Sequence, residues 1–462
     1  MEKKLAVFFI IYLVASIFFG FEVLPAIAIG IWFVFAYELF VKTNSCIALR
    51  EFMVTLYGMN YLMSPALSYH YPSATDFYKM RVPETDYFLI AIPAMLCFRY
   101  GLYFFKVRLF SLDYKLPKFQ EVANQKMLVN WLIAGILFSL ANNLFPGETG
   151  FFLYLLGMIR FTAAFALFAI DRKKYKWHLL IVFFLEVSRS VGNGMFHDSL
   201  MWLIFFGLFW AYIRKPSAIK KFFFVTIAII SFFIIQITKG EYRQTTADLG
   251  QSGNFSTFQR IALENINASE GLFSSNNVSG SITRVNQAWI FASTMENMDK
   301  RKDFQGLHLV GLYLEAALLP RFLAPDKLTA GNKDIFNKYS GHFIRAGTSM
   351  GLGIFADGYI AFGYWGSLIF GLALGLLFGF VCRIIDSWSK ISPYFALLSF
   401  PVLCYAARPD CETQTVLTHI IKSLVVFGII MFFYNQYFTR LITAAKRRFA
   451  LAADSSASTG NG

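Results

Sequence analysis

The feature that most constrains this chain is a series of apolar stretches, each about as long as a membrane-spanning helix, interrupted by one long polar segment. A spanning helix needs about 20 apolar residues, and the 462-residue sequence offers twelve such stretches. Only 15% of the residues are charged, against about 25% in soluble domains. No soluble core could bury so many apolar stretches. The sequence therefore predicts an all-α, polytopic integral membrane protein.

The predicted spans lie on both sides of the polar segment. They cover residues 5–20, 24–41, 52–66 (the weakest), 87–105, 127–145, 150–170, 177–192, 199–213, 222–238, 358–382, 393–407 and 416–436. The chain then divides into a bundle of about nine helices (1–238), a large outer loop (239–350), further membrane helices (351–444) and a tail (445–462) that we expect to be disordered. Within the loop, residues 306–323 predict an amphipathic or re-entrant helix on the membrane face.

Basic residues in the short loops indicate the orientation, because cytoplasmic loops are rich in Lys and Arg. With a cytoplasmic N-terminus, the cytoplasmic segments hold 23 basic residues, and the short outer loops hold only Lys79, Arg81 and Arg408. We therefore expect both termini in the cytoplasm and the large loop on the outer side of the membrane. The same asymmetry explains much of the net charge of +14, so we expect the lipid bilayer and no nucleic acid as a partner. The five scattered cysteines and the absence of metal or nucleotide motifs predict no metal and no cofactor.

The loops contain cations suited to an anionic ligand, because the arginine fork binds phosphate through two parallel hydrogen bonds. The candidates are Arg243, Arg284, Arg321, Lys327 and Arg345 in the large loop, with Arg408 in the last outer loop. Two prolines bracket Arg321 and predict a stiff turn there. The alternative is ordinary surface charge, since residues 239–345 hold 12 basic and 10 acidic side chains. The sequence leaves both interpretations open.

Two acids are candidates for a catalytic base. Asp357 enters a predicted span from the outer side among glycines, and an acid at such a depth is a functional candidate. A positioned carboxylate can take a proton from a hydroxyl group. The alternative is that Asp357 pairs with a loop arginine. Glu412, in the short polar loop before the last predicted span, is the second candidate base.

Other charged residues fall inside predicted spans. Glu186 and Arg189 lie three positions apart on one helix face, which favours a structural ion pair between them. Arg160 has no acid nearby in sequence, so it needs a partner from another helix or a water-filled cavity. His419 is the only fair candidate for the helix histidine that a membrane O-acyltransferase would require.

Part of the loop and the following span resembles the oligosaccharide repeat-unit polymerases of bacterial surface polysaccharide pathways, the O-antigen polymerase type. The resemblance rests on a multi-span plan with one dominant late outer loop and on two motifs within about residues 280–380. The first motif is Pro-Arg-x-x-x-Pro-x-Lys at residues 320–327. The second combines Thr-Ser-x-Gly, acid-x-Tyr and Phe-Gly-x-x-Gly at Thr348, Ser349, Gly351, Asp357, Tyr359, Phe362, Gly363 and Gly366.

This resemblance implies a metal- and nucleotide-independent glycosyltransferase acting on undecaprenyl-diphosphate-linked oligosaccharides. Growing glycan would pass from one lipid diphosphate to a new lipid-linked repeat unit, and a chain-length regulator protein would be a partner. The alternatives are an O-antigen ligase, which uses a different acceptor, and a flippase of lipid-linked glycans. A flippase favours internal repeats and functional residues at the membrane midplane; this sequence shows no repeat.

Overall fold

The structure is a computed structural model that describes residues 20–73, 75–107, 118–145, 147–194, 196–248, 253–267, 275–344 and 350–458, with four single positions before residue 20. Every regular element in these ranges is helical, as predicted. In chain order the helices are α1 Val23–Lys42, α2 Leu49–Gly58, α3 Ser64–His70, α4 Glu84–Phe104, α5 Lys118–Ala141, α6 Gly147–Gly157, α7 Ile159–Ile170, α8 Arg172–Asn193, α9 His197–Arg214, α10 Ala218–Asp248, α11 Phe255–Asn267, α12 Ser275–Val285, α13 Ala288–Arg301, α14 Gly306–Leu318, α15 Lys333–Ser340, α16 Ile354–Ser389, α17 Ser399–Leu403 and α18 Thr413–Ser458.

Among the residues that the structure describes, six helical segments are long and apolar enough to cross a membrane, which is compatible with a membrane protein. They are Val23–Lys42, Glu84–Phe104, Gly147–Ile170, Ala218–Thr246, Ile354–Ser389 and Thr413–Gln436. Each overlaps one of the twelve predicted spans. The predicted span 5–20 lies mostly outside the described residues. The stretches 52–66, 127–145, 177–192, 199–213 and 393–407 contain helices that do not join the six. Twelve spans therefore remain a prediction.

Helices α4 and α16 pack backbone to backbone. A Cβ atom added to Gly371 would collide with the carbonyl oxygen of Ala94, and one added to Gly375 would collide with that of Phe98. Glycines four residues apart on one helix face allow this approach, as in helix pairs within bilayers. This close packing of α4 against α16 fixes the helix whose first turns carry Asp357.

Helix α16 is interrupted near its start. Phe362 and Gly363 leave helical geometry, with a φ of +62° at Gly363, which glycine adopts without the strain other residues would suffer. The segment before the break folds against the segment after it, and the Ser367 hydroxyl donates to the Phe355 carbonyl at 2.9 Å. Asp357 therefore lies on a short helical segment of residues 354–361, apart from the long helix that follows.

The large loop is mostly helical, and its boundaries differ from those predicted. Helix α10 continues to Asp248, beyond the predicted end of its span at residue 238. Helix α14 covers most of the predicted amphipathic segment and buries Leu309 and Tyr313 while Leu307 and Leu318 stay exposed.

At the C-terminus, α18 continues to Ser458, past the boundary predicted at residue 444, because this stretch is rich in helix-favouring alanine, lysine and arginine.

Candidate functional site

The loop before α18 is fixed by an ion-pair network around Arg408. Its guanidinium lies 3.1 Å from Asp198 Oδ1 and 3.0 Å from Asp410 Oδ2, above the Tyr405 ring. Burial alone would raise the pKa of Asp410, but the Arg408 charge outweighs it and holds this pKa well below its ordinary value. Arg408, a predicted substrate ligand, is thus already neutralised by two carboxylates and shapes the loop.

Asp357 is completely buried and has both carboxylate oxygens occupied. Oδ1 accepts a hydrogen bond from the Tyr313 hydroxyl at 2.8 Å, and Oδ2 accepts one from the Thr413 backbone N–H at 2.7 Å. Burial raises the pKa of Tyr313, and the Asp357 charge adds to the rise, so the phenol keeps its proton and donates it. Among the described residues, neither oxygen contacts an arginine. Asp357 therefore ties α14, α16 and the first residue of α18 together.

Glu412 lies beside this junction. Its Oε1 accepts hydrogen bonds from the Gly331 N–H at 2.8 Å and the Thr415 hydroxyl at 3.0 Å. The residue is 7% exposed. Burial raises its pKa to about 7, and the charge of Asp357 contributes to the rise. A carboxyl group that titrates near neutral pH can both accept and release a proton under physiological conditions.

A second group of charges surrounds Glu148 at the start of α6. Glu148 Oε1 lies 2.8 Å from Lys327 Nζ and accepts the backbone N–H of Arg321 at 3.0 Å. Lys422 Nζ, from α18, lies 3.7 Å from the same oxygen. The predicted element at residues 320–327 is thus connected to α6 and α18, and one acid receives two lysine side chains and the backbone N–H of Arg321. We call this group the Glu148 cluster.

A third group lies where α10, α12 and the loop before α18 meet. Lys239, Arg243 and Arg284 are near enough to repel one another, and Asp410 lies near Lys239. The Nε of Arg243 donates to the Gly194 carbonyl at 2.8 Å. In the part of the chain that the structure describes, neither arginine forms an ion pair with an acid. We call these three residues the Arg284 cluster.

Arg345 and the predicted Thr348–Ser349 motif lie outside the described residues. The other predicted site residues fall into three places: Asp357, Glu412 and Arg408 around the loop before α18, Arg321 and Lys327 in the Glu148 cluster, and Arg243 and Arg284 in the Arg284 cluster. Within the described ranges, no group of three or more His, Cys, Asp or Glu residues could hold a metal ion.

The predicted ion pair between Glu186 and Arg189 is wrong. Glu186 Oε2 instead lies 2.6 Å from Arg160 Nη2, and both side chains are buried. Arg160 also donates to the Gly157 carbonyl at 2.9 Å. Glu186 and Arg189 share a face of α8, but Glu186 faces α7, where Arg160 lies within ion-pair distance. The expectation that Arg160 finds a partner on another helix is confirmed.

The sequence interpretation missed Glu148 and Tyr313. Glu148 carries the same signal as Asp357, an acid at the first turn of an apolar helix, and that signal could have been used. Tyr313 had no such signal, because one tyrosine among apolar residues is ordinary at an interface. The contact of Lys422 with Glu148 could not be found from spacing, because the two residues lie far apart in the chain.

The comparisons with known proteins identify a family and no relative of known activity. No curated protein and no solved structure matches the chain. The family described as a domain of unknown function (DUF8712) matches residues 59–389. This match includes Arg321, Lys327 and Asp357 and ends before Glu412. Because it covers more than half of the sequence, the chain belongs to the DUF8712 family.

Proposed function

We propose that this chain polymerises lipid-linked oligosaccharide repeat units at the outer face of the bacterial inner membrane. The observation that carries the proposal is the position of Glu412, a nearly buried carboxyl group with a pKa of about 7. It lies at the junction of the outer loop with the membrane helices, between two groups of basic residues. The chemistry requires a base and cationic groups for diphosphate, and this junction provides both.

In the proposed reaction, the Glu412 carboxylate takes the proton of an acceptor sugar hydroxyl. That oxygen attacks C1 of the donor sugar, the bond from C1 to the diphosphate oxygen breaks, and the lipid diphosphate leaves with the bonding electrons. A positioned base contributes about 10²–10⁴-fold to such a step. The free energy comes from the diphosphate ester, so the reaction needs no nucleotide.

Two lipid diphosphates take part in each transfer, and two cationic groups are available for them. The Arg284 cluster adjoins Asp410, two residues before Glu412, so it suits the donor diphosphate that leaves during the reaction. Preorganised cations stabilise charge that develops on a leaving group. The Glu148 cluster lies farther along α18 and suits the second lipid.

Asp357 takes a positioning role in this proposal. Its oxygens are both occupied, and its side chain is inaccessible to a substrate. It fixes the Thr413 N–H and so the backbone that carries Glu412. Our prediction of Asp357 as the base is therefore replaced, within the proposal, by Glu412.

The proposal also includes twelve spans with both termini in the cytoplasm. Reporter fusions at residues 110, 174 and 217 should then give cytoplasmic signals, and a fusion near residue 270 should give a periplasmic one. A cytoplasmic signal near residue 270 would reject both the topology and the proposed site.

The test of function is the surface glycan of a deletion strain. We expect single repeat units on the glycan anchor, and full-length polymer after complementation with the intact gene. Complementation with Glu412→Gln should leave single units, whereas Glu264→Gln, on an exposed helix, should restore polymer. Complete loss of surface glycan would favour a ligase or flippase, and glycan of normal length without acetyl groups would favour an acyltransferase.

A further inference from the structure

The end of α14, together with the segment that joins it to α15, runs along α18 away from Glu412 and then returns. On the way out, the Ala316 carbonyl accepts from the Thr418 hydroxyl at 3.5 Å. On the way back, the Leu328 carbonyl accepts from the Gln414 amide at 2.8 Å, before Gly331 reaches Glu412. The tip of this hairpin is therefore level with Lys422. At 1.5 Å per residue, that level is about 15 Å along α18 from Glu412.

The charge at the tip is not balanced. Lys327 and Lys422 are 5% and 15% exposed, and Glu148 is the only acid paired with either among the described residues. Arg321 lies near enough to repel Lys422. A buried charge without a partner is costly. The cluster therefore has a surplus of positive charge that an anion would neutralise.

Lys422 is paired more weakly with Glu148 than Lys327 is. Its distance of 3.7 Å from Glu148 exceeds that of a hydrogen bond. Its other neighbours are the faces of Phe151 and Phe152, at 5.3 and 5.8 Å from the ring centroids. An ammonium group over two rings retains N–H donors for a further acceptor.

Apolar side chains surround the tip on its exposed side. Leu318, Phe322 and Leu323 are 59%, 80% and 62% exposed. They adjoin Arg321 in the chain, so a ligand with a phosphate head and a hydrocarbon tail would find both a cationic and an apolar surface. A free phosphate would use only the first.

We infer that Arg321, Lys327 and Lys422 bind the diphosphate of a prenyl-type lipid, and that the Glu148 carboxylate occupies the place of this anion until the lipid arrives. The identity of the lipid as the acceptor substrate rests on the proposed function. Displaced from Lys327, Glu148 would remain at the N-terminus of α6, where the backbone N–H groups stabilise a negative charge.

The distance along α18 gives the site its role. Lys422 lies ten residues after Glu412, or about 15 Å farther along the axis of α18, so a diphosphate held there is set apart from the base and does not suit the leaving group. It would instead anchor the acceptor, whose reacting hydroxyl lies at the other end of its repeat unit. The spacing between the Glu148 cluster and Glu412 would then select acceptors of one length.

The test is binding of geranylgeranyl diphosphate, with inorganic pyrophosphate for comparison, to the purified full-length protein in detergent. We expect Lys422→Met to weaken binding of the prenyl diphosphate at least about tenfold, and Glu148→Gln to tighten it by about tenfold, since a repelling charge is removed. Lys300→Met, which breaks an exposed pair with Glu296, should leave binding unchanged. Arg321→Met, at an exposed position, replaces Lys422→Met if that variant does not fold.

Weaker binding by Glu148→Gln would overturn the inference, because Glu148 would then be part of the fold or of the ligand site itself. Equal affinity for pyrophosphate and the prenyl diphosphate would reject the lipid as ligand. Binding is measured without turnover, so the inference and the proposed function can fail separately. The expected binding changes together with normal polymer in the deletion strain would reject the polymerase and retain the lipid site.

Discussion

The charges of this chain are balanced in one region of the bundle and unbalanced in another. Arg160 and Glu186 form a buried pair of one cation and one acid at 2.6 Å. In the Glu148 cluster, one acid faces two lysines, with Arg321 nearby. Because an uncompensated buried charge is costly, the pair is complete by itself, whereas the cluster is completed by an added anion. The first arrangement serves the fold, and the second is suited to a ligand.

The loop before α18 contains a similar contrast within three residues. Asp410 is paired with Arg408, which holds its pKa well below the ordinary value. Glu412 receives only hydrogen bonds from the residues described, and burial raises its pKa to about 7. Two acids whose surroundings move their pKa values in opposite directions commonly have different roles. Here Asp410 keeps the loop in place, and Glu412 has the pKa that the proposed base requires.

The largest effect should come from breaking the balanced pair. Arg160→Met leaves Glu186 buried without a cation, at a cost of about 3–5 kcal/mol. We expect little protein in the membrane and a strongly lowered unfolding temperature. The double variant Arg160→Met with Glu186→Leu should recover most of the loss. Arg260→Met breaks an exposed pair and should change stability by less than about 1 kcal/mol. Normal abundance of the Arg160→Met protein would show that the pair does not support the fold.

The next effect should come from Glu412. Glu412→Gln should reduce polymerisation by about 10²–10⁴-fold at normal abundance in the membrane. For the intact enzyme, activity should rise with pH through about 7 as the base loses its proton. The pKa of Glu412 is about 7 in the folded chain and about 4.5 in the unfolded chain. Between these values the folded chain binds the proton more strongly, so the free energy of unfolding should fall as pH rises from about 4.5 to about 7. Glu412→Gln should remove both dependences, and unfolding scans at pH 5 and pH 8 measure the second. A pH profile that is the same in the variant would contradict the assignment.

A smaller effect should come from Asp357. Asp357→Asn loses a hydrogen-bond acceptor and misplaces the start of α18, so activity should fall by up to about 10²-fold. It also removes a charge that raises the pKa of Glu412, so the midpoint of the pH–activity curve should move to lower pH. Tyr313→Phe breaks one bond to Asp357 and keeps the charge, so it should reduce activity without moving the midpoint. If the midpoint of the pH–activity curve is the same in Asp357→Asn, the Asp357 charge does not affect the pKa of Glu412. If this variant has wild-type activity, Asp357 has no positioning role.

Composition and hydropathy predicted an all-helical chain and twelve spans, because these depend on runs of neighbouring residues; six of the twelve overlap long apolar helices among the described residues. They also predicted that Arg160 needs a partner elsewhere. Spacing gave the wrong partner for Glu186, since i and i+3 positions show which residues share a face and not which helix that face meets. The choice of Arg160 depends on how α7 and α8 pack.

The site was predicted residue by residue rather than as an arrangement. Asp357 was selected because an acid at the edge of an apolar helix is costly, Glu412 because it lies in a short polar outer loop, and Lys327 because a loop cation suits an anionic ligand. The sequence could not show that Asp357 is closed off by Tyr313 or that Lys327 meets Glu148. Those contacts join segments far apart in the chain, and only the return of the hairpin along α18 brings them together.

The smallest effect should come from changing the shape of a cation without changing its charge. Arg284→Lys and Arg321→Lys keep a positive group but lose the fork that binds two phosphate oxygens at once. We expect each to lower polymerisation by about fivefold, equivalent to about 1 kcal/mol, because lysine keeps the charge and loses about the net value of one hydrogen bond. Arg260→Lys, in an exposed pair with Glu264, is the matched control and should be neutral. The proposal also predicts a difference between the two variants. Arg321→Lys should raise the acceptor concentration needed for half-maximal rate, because the Glu148 cluster is the proposed site of the acceptor diphosphate. Arg284→Lys should lower the maximal rate, because the Arg284 cluster is the proposed site of the leaving diphosphate. Full-length polymer at the normal rate from both variants would assign these arginines to the solvated surface.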